Sequence, residues 1–576
     1  MKKILKYMRG FGKECILGPL FKLLEATFEL FIPLVVADIV DKGILHGDDG
    51  YILKMCAVMI ALGIIGLVCA VTAQYFAARA AVGFSGRLRH AVLEHILGLS
   101  YSQIDRLGTS TMITRMTADI EQVQNGVNLT LRLLLRSPFV VFGAMVMAFT
   151  IDLQAALVFV AVIPVLCVIV FGIMLITMPM HKRVRAALDK VTSATRQNLA
   201  GVRVLRAFCK EESEVETFRE NTEDLARKQH KAGGISGLMD PVTFVVVNMG
   251  IIVLIKIGAL KVEGGILTQG LVIALYNYMS QILVELVKMA NLIINMTKAA
   301  ACADRVADVL SIEPDQENGT KDASEICGRV EFDDVTARYS ESGSPALAGV
   351  SFNAEPGQTV GIIGGTGSGK TTLVALIPRL YDVFSGSVRI DGTDVREYDM
   401  DQLRHCIGIV PQNAVLFKGS IRQNLLWGNM EATDEDLWAA LETAQAREVV
   451  KDKEGELDAL VEQGGVNFSG GQRQRLTIAR ALVRKPKILI LDDSASALDY
   501  ATDAALRKAI RSMKEPPTTF IVSQRAVSVR FADQIIVLDD GVMVGKGTHD
   551  ELLANNAVYQ EVYYSQFPKE VTDCGR

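Results

Sequence analysis

Several patterns that would each have pointed to a particular chemistry are missing from this 576-residue sequence. No Cys-x-x-Cys occurs among its nine cysteines (Cys15, Cys56, Cys69, Cys167, Cys209, Cys302, Cys327, Cys406 and Cys574). A zinc site or redox pair of that type is therefore not expected, and thiols inside apolar runs read as buried or membrane-facing packing. The seven histidines show no metal-ligand spacing, since His90 and His95 lie five apart and fall on different helical faces. Basic charge is not in excess: 60 Lys and Arg stand against 65 Asp and Glu, for a net charge of −5. That balance argues against a nucleic-acid partner. No small-residue cleavage site follows the first apolar segment, so a removable signal peptide is not expected. With the first span beginning almost at once, a leader-cleaving peptidase domain is not expected either.

What the sequence does have is apolar length. Half of its residues are hydrophobic, and the mean hydropathy is +0.27. The apolar runs fill the first 300 or so residues, and charge becomes denser after them, as in a membrane domain joined to a soluble one. Windows of about 20 apolar residues can cross a bilayer as helices. Six are found, near Ile16–Val40, Leu53–Ala77, Leu133–Ile151, Ala155–Thr177, Val242–Val262 and Leu271–Ile294. Basic residues crowd the N-terminus and the connections after the second and fourth spans, whereas the link after the first carries Asp38, Asp41, Asp48 and Asp49. Both termini and the two long connections are therefore placed in the cytoplasm. Ala80–Gln103 and Lys182–Leu205 keep helical spacing, which predicts membrane helices that continue into the cytoplasm and turn near Arg106–Thr111 and Lys210–Val215. The resulting expectation is a membrane domain over 1–310, a linker over 311–328, a soluble domain over 329–567 and a tail over 568–576.

In the soluble half, the buried-strand pattern Thr359-Val360-Gly361-Ile362-Ile363 runs into Gly364-Gly365-Thr366-Gly367-Ser368-Gly369-Lys370-Thr371. A helix is expected to start at Gly369 and run through Leu373–Arg379. Strand, glycine-rich loop and helix form a phosphate cradle: glycines let backbone N–H groups turn inward, and the helix N-terminus adds its positive end. Lys370 supplies a point charge, and Thr371 a hydroxyl for Mg²⁺. Ile488-Leu489-Ile490-Leu491-Asp492-Asp493 reads as a central parallel strand whose carboxylates emerge where such sheets bind ligands, with Asp492 on the metal side. Ser469-Gly470-Gly471-Gln472 opens a second helix with anion-binding character. One domain needs one phosphate loop. The second N-terminus suggests that two copies meet, each closing the other's site.

On these residues the sequence resembles an ATP-binding cassette (ABC) exporter half-transporter over nearly its whole length. The resemblance implies an all-α six-helix transmembrane domain of exporter type fused to a P-loop α/β ABC ATPase domain, with ATP and Mg²⁺ as cofactors. It places an adenine-stacking aromatic at Tyr339, extends the ATP-binding set to Thr372, and makes Gln412 the Q-loop residue that links Mg²⁺ to the membrane domain. Ser469–Gln472 match the signature that contacts a partner's ATP, with Phe468 where leucine is usual, and Asp499 matches the interface D-loop. The two cytoplasmic turns correspond to the family's coupling helices.

Two departures stand out. Asp493 occupies the position of the usual glutamate, and Gln524 that of the usual switch histidine. Aspartate is one methylene shorter, and glutamine cannot titrate as histidine does. Together, beside an intact signature, they resemble the degenerate-site subunit of bacterial heterodimeric multidrug exporters. That resemblance implies a second half-transporter with the intact glutamate and histidine, a membrane-lipid environment, and a substrate that is an amphipathic small molecule, lipid or peptide. A homodimer with two weak sites, an exporter-fold siderophore importer and a non-transporting sensor are the alternatives. Within the spans, Lys22, Glu25 and Glu29 share a face of the first helix, and Glu285, Lys288 and Gln281 lie in the sixth. Charges at membrane depth face a cavity or a partner. Glu25, Glu29, Gln281 and Glu285 are therefore candidate cavity residues for a cationic substrate, or members of internal ion pairs.

Overall fold

The computed structural model describes residues 2–339 and 343–567; the expected tail 568–576, with Cys574, lies outside the described residues. The chain divides into two compact units, 1–97 with 108–312, and 98–107 with 313–576.

The first unit is helical. Its long elements are α1 (Gly12–Asp38) and α2 (Asp49–Leu97), and a path from Thr109 to Ile151 contains α4 (Ile120–Leu133) and α5 (Arg136–Ile151); the short α3 (Tyr101–Leu107) lies outside this unit. They are followed by α6 (Leu153–Ala200), α7 (Glu211–Gly237), α8 (Met239–Glu263) and α9 (Gln269–Val309). Among the described residues, five stretches are long and apolar enough to cross a membrane: Asp49–Leu97, Thr109–Ile151, Leu153–Ala200, Glu211–Glu263 and Gln269–Val309. The 27-residue α1 is long enough, at 1.5 Å per residue, to do the same. Lys22, Glu25 and Glu29 dilute its hydropathy.

Apolar side chains on α2 such as Leu53, Ile60, Leu67 and Val71 point outward and are exposed, which suits lipid rather than water. The opposite face carries Ala73, Ala77, Ala80 and Ala81, all buried. Small residues let α1 pack closely along α2. The membrane-level core gathers Leu30, Val140, Phe159, Leu254, Leu275 and Tyr278 from α1, α5, α6, α8 and α9. At its edges polar groups are tied down. Asp152 caps α6 through Ala155 N at 2.8 Å, and Lys261 reaches the same carboxylate at 2.5 Å. The second of the expected turns comes earlier than Lys210–Val215: α6 ends at Ala200, a short helix spans Val202–Ala207, and α7 starts at Glu211, so Glu211–Val215 are already helical.

The second unit contains α3 (Tyr101–Leu107) and two main sheets. An antiparallel sheet joins β1 (Val330–Ala337), β2 (Leu347–Ala354) and β4 (Ser385–Ile390), with β1 in the middle. The larger sheet contains β3 (Thr359–Gly364), β5 (Ile407–Val410), β6 (Ile488–Asp492), β7 (Thr518–Val522), β8 (Gln534–Asp539) and β9 (Val542–Gly547). Its order is β9-β8-β3-β7-β6-β5, parallel except for the β8–β9 pair. Every residue of β3, β6 and β7 is buried, which explains their unbroken apolar runs. Of the expected linker 311–328, Ala323 and Ile326 are buried in the core of this unit, and Lys321 bridges to Tyr398.

Candidate functional site

β3 and β6 are separated only by β7 in the sheet, so their C-terminal ends deliver two motifs from distant sequence to one place. From β3 comes the glycine loop, followed by α10 (Lys370–Leu376). The helix starts one residue later than the sequence suggested and stops at Leu376, because the chain turns at Arg379, which takes a φ of +53°. Gly367 and Gly369 adopt φ values of +83° and +91°, a region open to glycine at little cost. Gly369 also has no room for a side chain: a Cβ there would stand 2.5 Å from the Ala346 carbonyl oxygen. From β6 come Asp492 and Asp493.

These elements enclose a cavity of about 290 Å³ lined by Thr366, Gly367, Gly369, Lys370, Thr371 and Thr372, together with Tyr339, Gln412, Asp492, Asp493 and Gln524. Eleven of the residues that the sequence assigned to this site therefore converge; Gly364, Gly365 and Ser368 complete the loop behind them. Lys370 Nζ folds onto its own loop, donating to the carbonyls of Gly364 (3.0 Å) and Gly365 (2.5 Å) and to Ser368 Oγ (3.3 Å). Burial lowers its pKa from the ordinary lysine value, and the nearby carboxylates of Asp493 and Asp492 oppose that shift. Among the described residues no carboxylate forms an ion pair with this buried ammonium, whose direct partners are neutral oxygens that an anionic phosphate could replace. Thr371 Oγ1 donates to Asp492 Oδ1 at 3.1 Å. Burial pushes the Asp492 carboxyl above the usual range and the Asp493 charge adds to this, while Thr371 and Lys370 pull the other way. Hydroxyl and carboxylate thus sit side by side as oxygen donors. Among the described residues there is no cluster of three or more His, Cys, Asp or Glu side chains able to hold a metal alone. This sparse donor set fits Mg²⁺, which takes one or two protein oxygens and leaves its remaining positions to phosphate and water.

The two unusual positions are held differently. Asp493 takes a left-handed φ of +44°, which aspartate tolerates better than most residues. Its backbone N–H donates to the Val522 carbonyl at 3.0 Å, and its Oδ2 lies 3.4 Å from Gln412 Nε2. Gln524 is exposed, but its backbone carbonyl accepts from Gln566 Nε2 at 2.7 Å. Gln566 Oε1 also accepts from Ala526 N at 2.9 Å, so the C-terminal helix α13 (Ala557–Gln566) clasps the switch segment on both sides. Nothing in the sequence pattern had singled out Gln566.

Tyr339 Oη and Thr372 Oγ1 are 2.8 Å apart. The Tyr339 ring meets Tyr381 edge-on at 5.3 Å, and Tyr381 lies 6.2 Å from Tyr101 on α3. Tyr381 Oη donates to Asp105 Oδ2 at 2.8 Å. Burial and that carboxylate push the Tyr381 phenol well above its ordinary pKa, so it remains a donor. Tyr381 was not among the residues picked from the sequence; its signal would have been an aromatic a few positions beyond the phosphate-loop helix.

Ser469–Gln472 do not line this cavity. Ser469 caps α11 (Gly470–Val483) in a capping box: its Oγ accepts from Gln472 N at 3.3 Å, and Gln472 Oε1 accepts from Ser469 N at 3.0 Å. Ser469 and Gly470 are exposed, while Phe468 is buried beneath them. Asp499 caps α12 (Tyr500–Arg511), accepting from Thr502 N at 2.7 Å, and is likewise exposed.

In the first unit the charged candidates form one cluster around a residue that the sequence reading overlooked. Arg136, at the start of α5 and 6% exposed, donates to Glu285 Oε1 and Glu29 Oε2, each at 2.6 Å. Ser137 Oγ donates to Glu285 Oε2 at 2.9 Å, and Lys288 to Glu285 Oε1 at 2.9 Å. Lys22 pairs with Glu25 at 2.5 Å. The carboxylates of Glu25, Glu29 and Glu285 are thus neutralised by cations of the same unit, and Gln281 is half-buried on α9. An arginine inside the apolar stretch Leu133–Val141 was the available signal.

Comparison with known proteins agrees with this architecture. Residues 15–286 match the family described as "ABC transporter transmembrane region", and residues 347–496 the one described as "ABC transporter". An "Uncharacterized ABC transporter ATP-binding protein MT1311" of Mycobacterium tuberculosis is 37% identical over 97% of each chain. A "Probable multidrug resistance ABC transporter ATP-binding/permease protein YheI" of Bacillus subtilis is 35% identical over 83% of this chain and 82% of its own. An "ATP-dependent lipid A-core flippase" of Vibrio vulnificus is 27% identical over 98% and 97% respectively. A helical membrane unit, a parallel sheet carrying a phosphate loop, and full-length relatives of this kind lead to one conclusion: the chain belongs to the ABC transporter family, as an integral membrane half-transporter of the exporter type.

Proposed function

We propose that this chain is one half of a heterodimeric exporter that moves amphipathic or hydrophobic compounds out of the cytoplasm, and that its own ATP site binds more than it hydrolyses. The observation that carries this reading is the pair Asp493 and Gln524 on the wall of the phosphate cavity. Asp493 is already at hydrogen-bond range of Gln412, in a backbone conformation that fixes where its short side chain can reach. A carboxylate one methylene short holds an attacking water too far back, and position governs such steps. Gln524 can donate to a phosphate but carries no proton to titrate.

Each of this chain's residues then has a part in holding ATP. Tyr339 presents a ring to the base, and the glycine loop offers backbone N–H groups to the phosphates. Lys370 exchanges its carbonyl partners for phosphate oxygens. Thr371, Asp492 and Gln412 would hold Mg²⁺, which when bound draws charge from the phosphates. The exposed N-terminus of α11 at Ser469–Gln472, free of its own site, supplies the signature to a partner's nucleotide. The partner contributes the glutamate and histidine that this chain lacks. Relatives named for multidrug resistance and for lipid A-core flipping support an amphipathic substrate class.

The decisive measurement is the ATPase of the purified chain alone. Slow turnover is expected, with nucleotide binding retained. Rapid turnover by the lone chain that is abolished by Asp493→Asn would overturn the heterodimer reading.

A further inference from the structure

The carboxylates that a cationic substrate would need are paired, but a different cavity in the first unit has unpaired charge of the opposite sign. It lies between α6, the α7–α8 junction and α9, and has a volume of about 810 Å³. This is too large for a packing defect and within the range of ligand sites. Its wall is apolar and deformable: Ile173, Met174, Met178, Met239 and Ile294 contribute. Methionine's unbranched thioether adapts to irregular apolar shapes. One end is different. Lys182 and Arg185 on α6 and Lys298 on α9 reach the cavity there, with His181 beside them. His181 Nε2 is 3.2 Å from Ser236 Oγ. The lining contains no aspartate or glutamate. Among the described residues, no ion pair neutralises Lys182, Arg185 or Lys298, although most cations of the membrane-level cluster are paired.

We propose that this cavity is a binding site for an acidic membrane lipid of the cytoplasmic leaflet, its tail against the methionine wall and its anionic head among Lys182, Arg185 and Lys298. The proposal deepens the exporter reading, on which it rests, by giving the substrate's charge. Three observations on the cavity select that occupant. An uncharged apolar compound would use the wall and leave the cations unused. A cation would meet repulsion at the basic end and find no carboxylate in the lining. A soluble anion without a tail would leave about 810 Å³ of largely apolar space unfilled. Ile173 to Thr177 close the apolar window Ala155–Thr177, whereas Lys182 and Arg185 follow that window in the basic part of the same helix. The cavity therefore straddles the level at which tail gives way to head group, where basic side chains attract anionic lipid.

The test uses the full-length chain in phosphatidylcholine nanodiscs, without nucleotide, with a trace of photoactivatable phosphatidic acid or of photoactivatable phosphatidylcholine. The acidic probe is expected to label peptides covering 173–188 and 290–301 in excess over the zwitterionic one. Lys182→Gln, Arg185→Gln and Lys298→Gln should each weaken that labelling about fivefold, and Lys182→Arg with Lys298→Arg should retain it. Dodecyl phosphate should compete, whereas inorganic phosphate should not. Equal labelling by both probes, or labelling indifferent to the three glutamine variants, would overturn the site. Competition by inorganic phosphate as strong as by dodecyl phosphate would overturn the lipid assignment in favour of a head-group site alone. If the glutamine variants misfold, judged by their unfolding temperature, the probe comparison and the competition on the unaltered chain still decide. The labelling needs neither a partner nor hydrolysis, so its failure is distinct from failure of the heterodimer reading, which the lone-chain ATPase tests.

Discussion

Arg136 illustrates what one residue can hold together. Its guanidinium, nearly inaccessible, spans Glu29 of α1 and Glu285 of α9, and Ser137 and Lys288 fill the remaining positions around Glu285. Burying an ion pair gains little over apolar packing, but removing one member leaves a buried charge and costs about 3–5 kcal/mol. Arg136→Gln should therefore lower the unfolding temperature in detergent sharply. Adding Glu285→Gln should recover part of the loss, because the orphaned carboxylate disappears. If the double variant were no better than Arg136→Gln, the pair would carry no such coupling. Asp492 makes a second residue-scale case, through pH. Its folded pKa is raised by burial, so the fold binds that proton more tightly than the unfolded chain does, and the favourable contribution is present at low pH. It is lost as the pH rises from the ordinary carboxylate value of about 4 through the elevated folded value. The nucleotide-free chain should thus lose stability across this window relative to Asp492→Asn, and Mg²⁺ with ATP should reverse the loss by engaging the ionised carboxylate. Parallel unfolding temperatures for the two chains at about pH 4 to pH 7 would count against it.

At the scale of elements, α9 is tied at both ends by aspartates that sit in π-helical turns. The turn Ile39–Ile44, which continues α1, carries Asp41, whose Oδ1 accepts from Gly270 N at 2.7 Å and whose Oδ2 accepts from Thr268 Oγ1. Thr268 itself caps α9 without a side-chain bond, so the cap comes from another helix. The turn Arg115–Asp119 carries Asp119, which pairs with Arg115 at 2.7 Å and with Arg305 near the other end of α9. Asp41→Ala should cost about 1 kcal/mol, the usual value of a lost N-cap. Gly270→Ala should cost more, since a Cβ there would stand 2.3 Å from the Ala37 carbonyl oxygen, a backbone atom that cannot rotate away. Unfolding in detergent would rank the two, and the reverse order would refute the trans cap. None of this was legible in the sequence. The phosphate loop could be read because its strand, glycines, lysine and helix are contiguous, and Asp492 because its strand is an unbroken apolar run. Glu29, Arg136 and Glu285 come from three separate helices, and only the fold brings them together. The first-helix charges were read as facing a cavity or a partner; the Glu29 partner is an arginine more than 100 residues away, which the sequence pattern did not join to it. Helix starts and stops were read to within a few residues, and the early end at Leu376 was missed because the turn at Arg379 depends on its contacts with Asp382 and the Glu317 carbonyl rather than on a glycine or proline.

At the scale of the whole molecule, the proposed asymmetry separates two functions that a symmetric transporter would combine in each chain. This chain's cavity holds Lys370, whereas Ser469 caps α11 away from that cavity and, on the proposed reading, would complete a site only in an assembly. Variants of the two residues should therefore behave differently in the assembled pair. Lys370→Ala weakens ATP binding at a site that hydrolyses slowly, so most of the pair's turnover should remain. Ser469→Arg places bulk and positive charge where the partner's phosphates would dock, and removes a group positioned for developing charge. Loss of one such donor alone costs about 10²-fold or more in turnover. Ser469 also caps α11, so a stability loss of about 1 kcal/mol is expected with either Ser469→Arg or Ser469→Ala. Comparing their unfolding temperatures shows whether arginine acts beyond the cap. Steady-state ATPase of the reconstituted pair gives the answer. If Lys370→Ala abolished turnover as completely as Ser469→Arg, both sites would be hydrolysing in concert, and the division of labour assigned to Asp493 and Gln524 would have no basis.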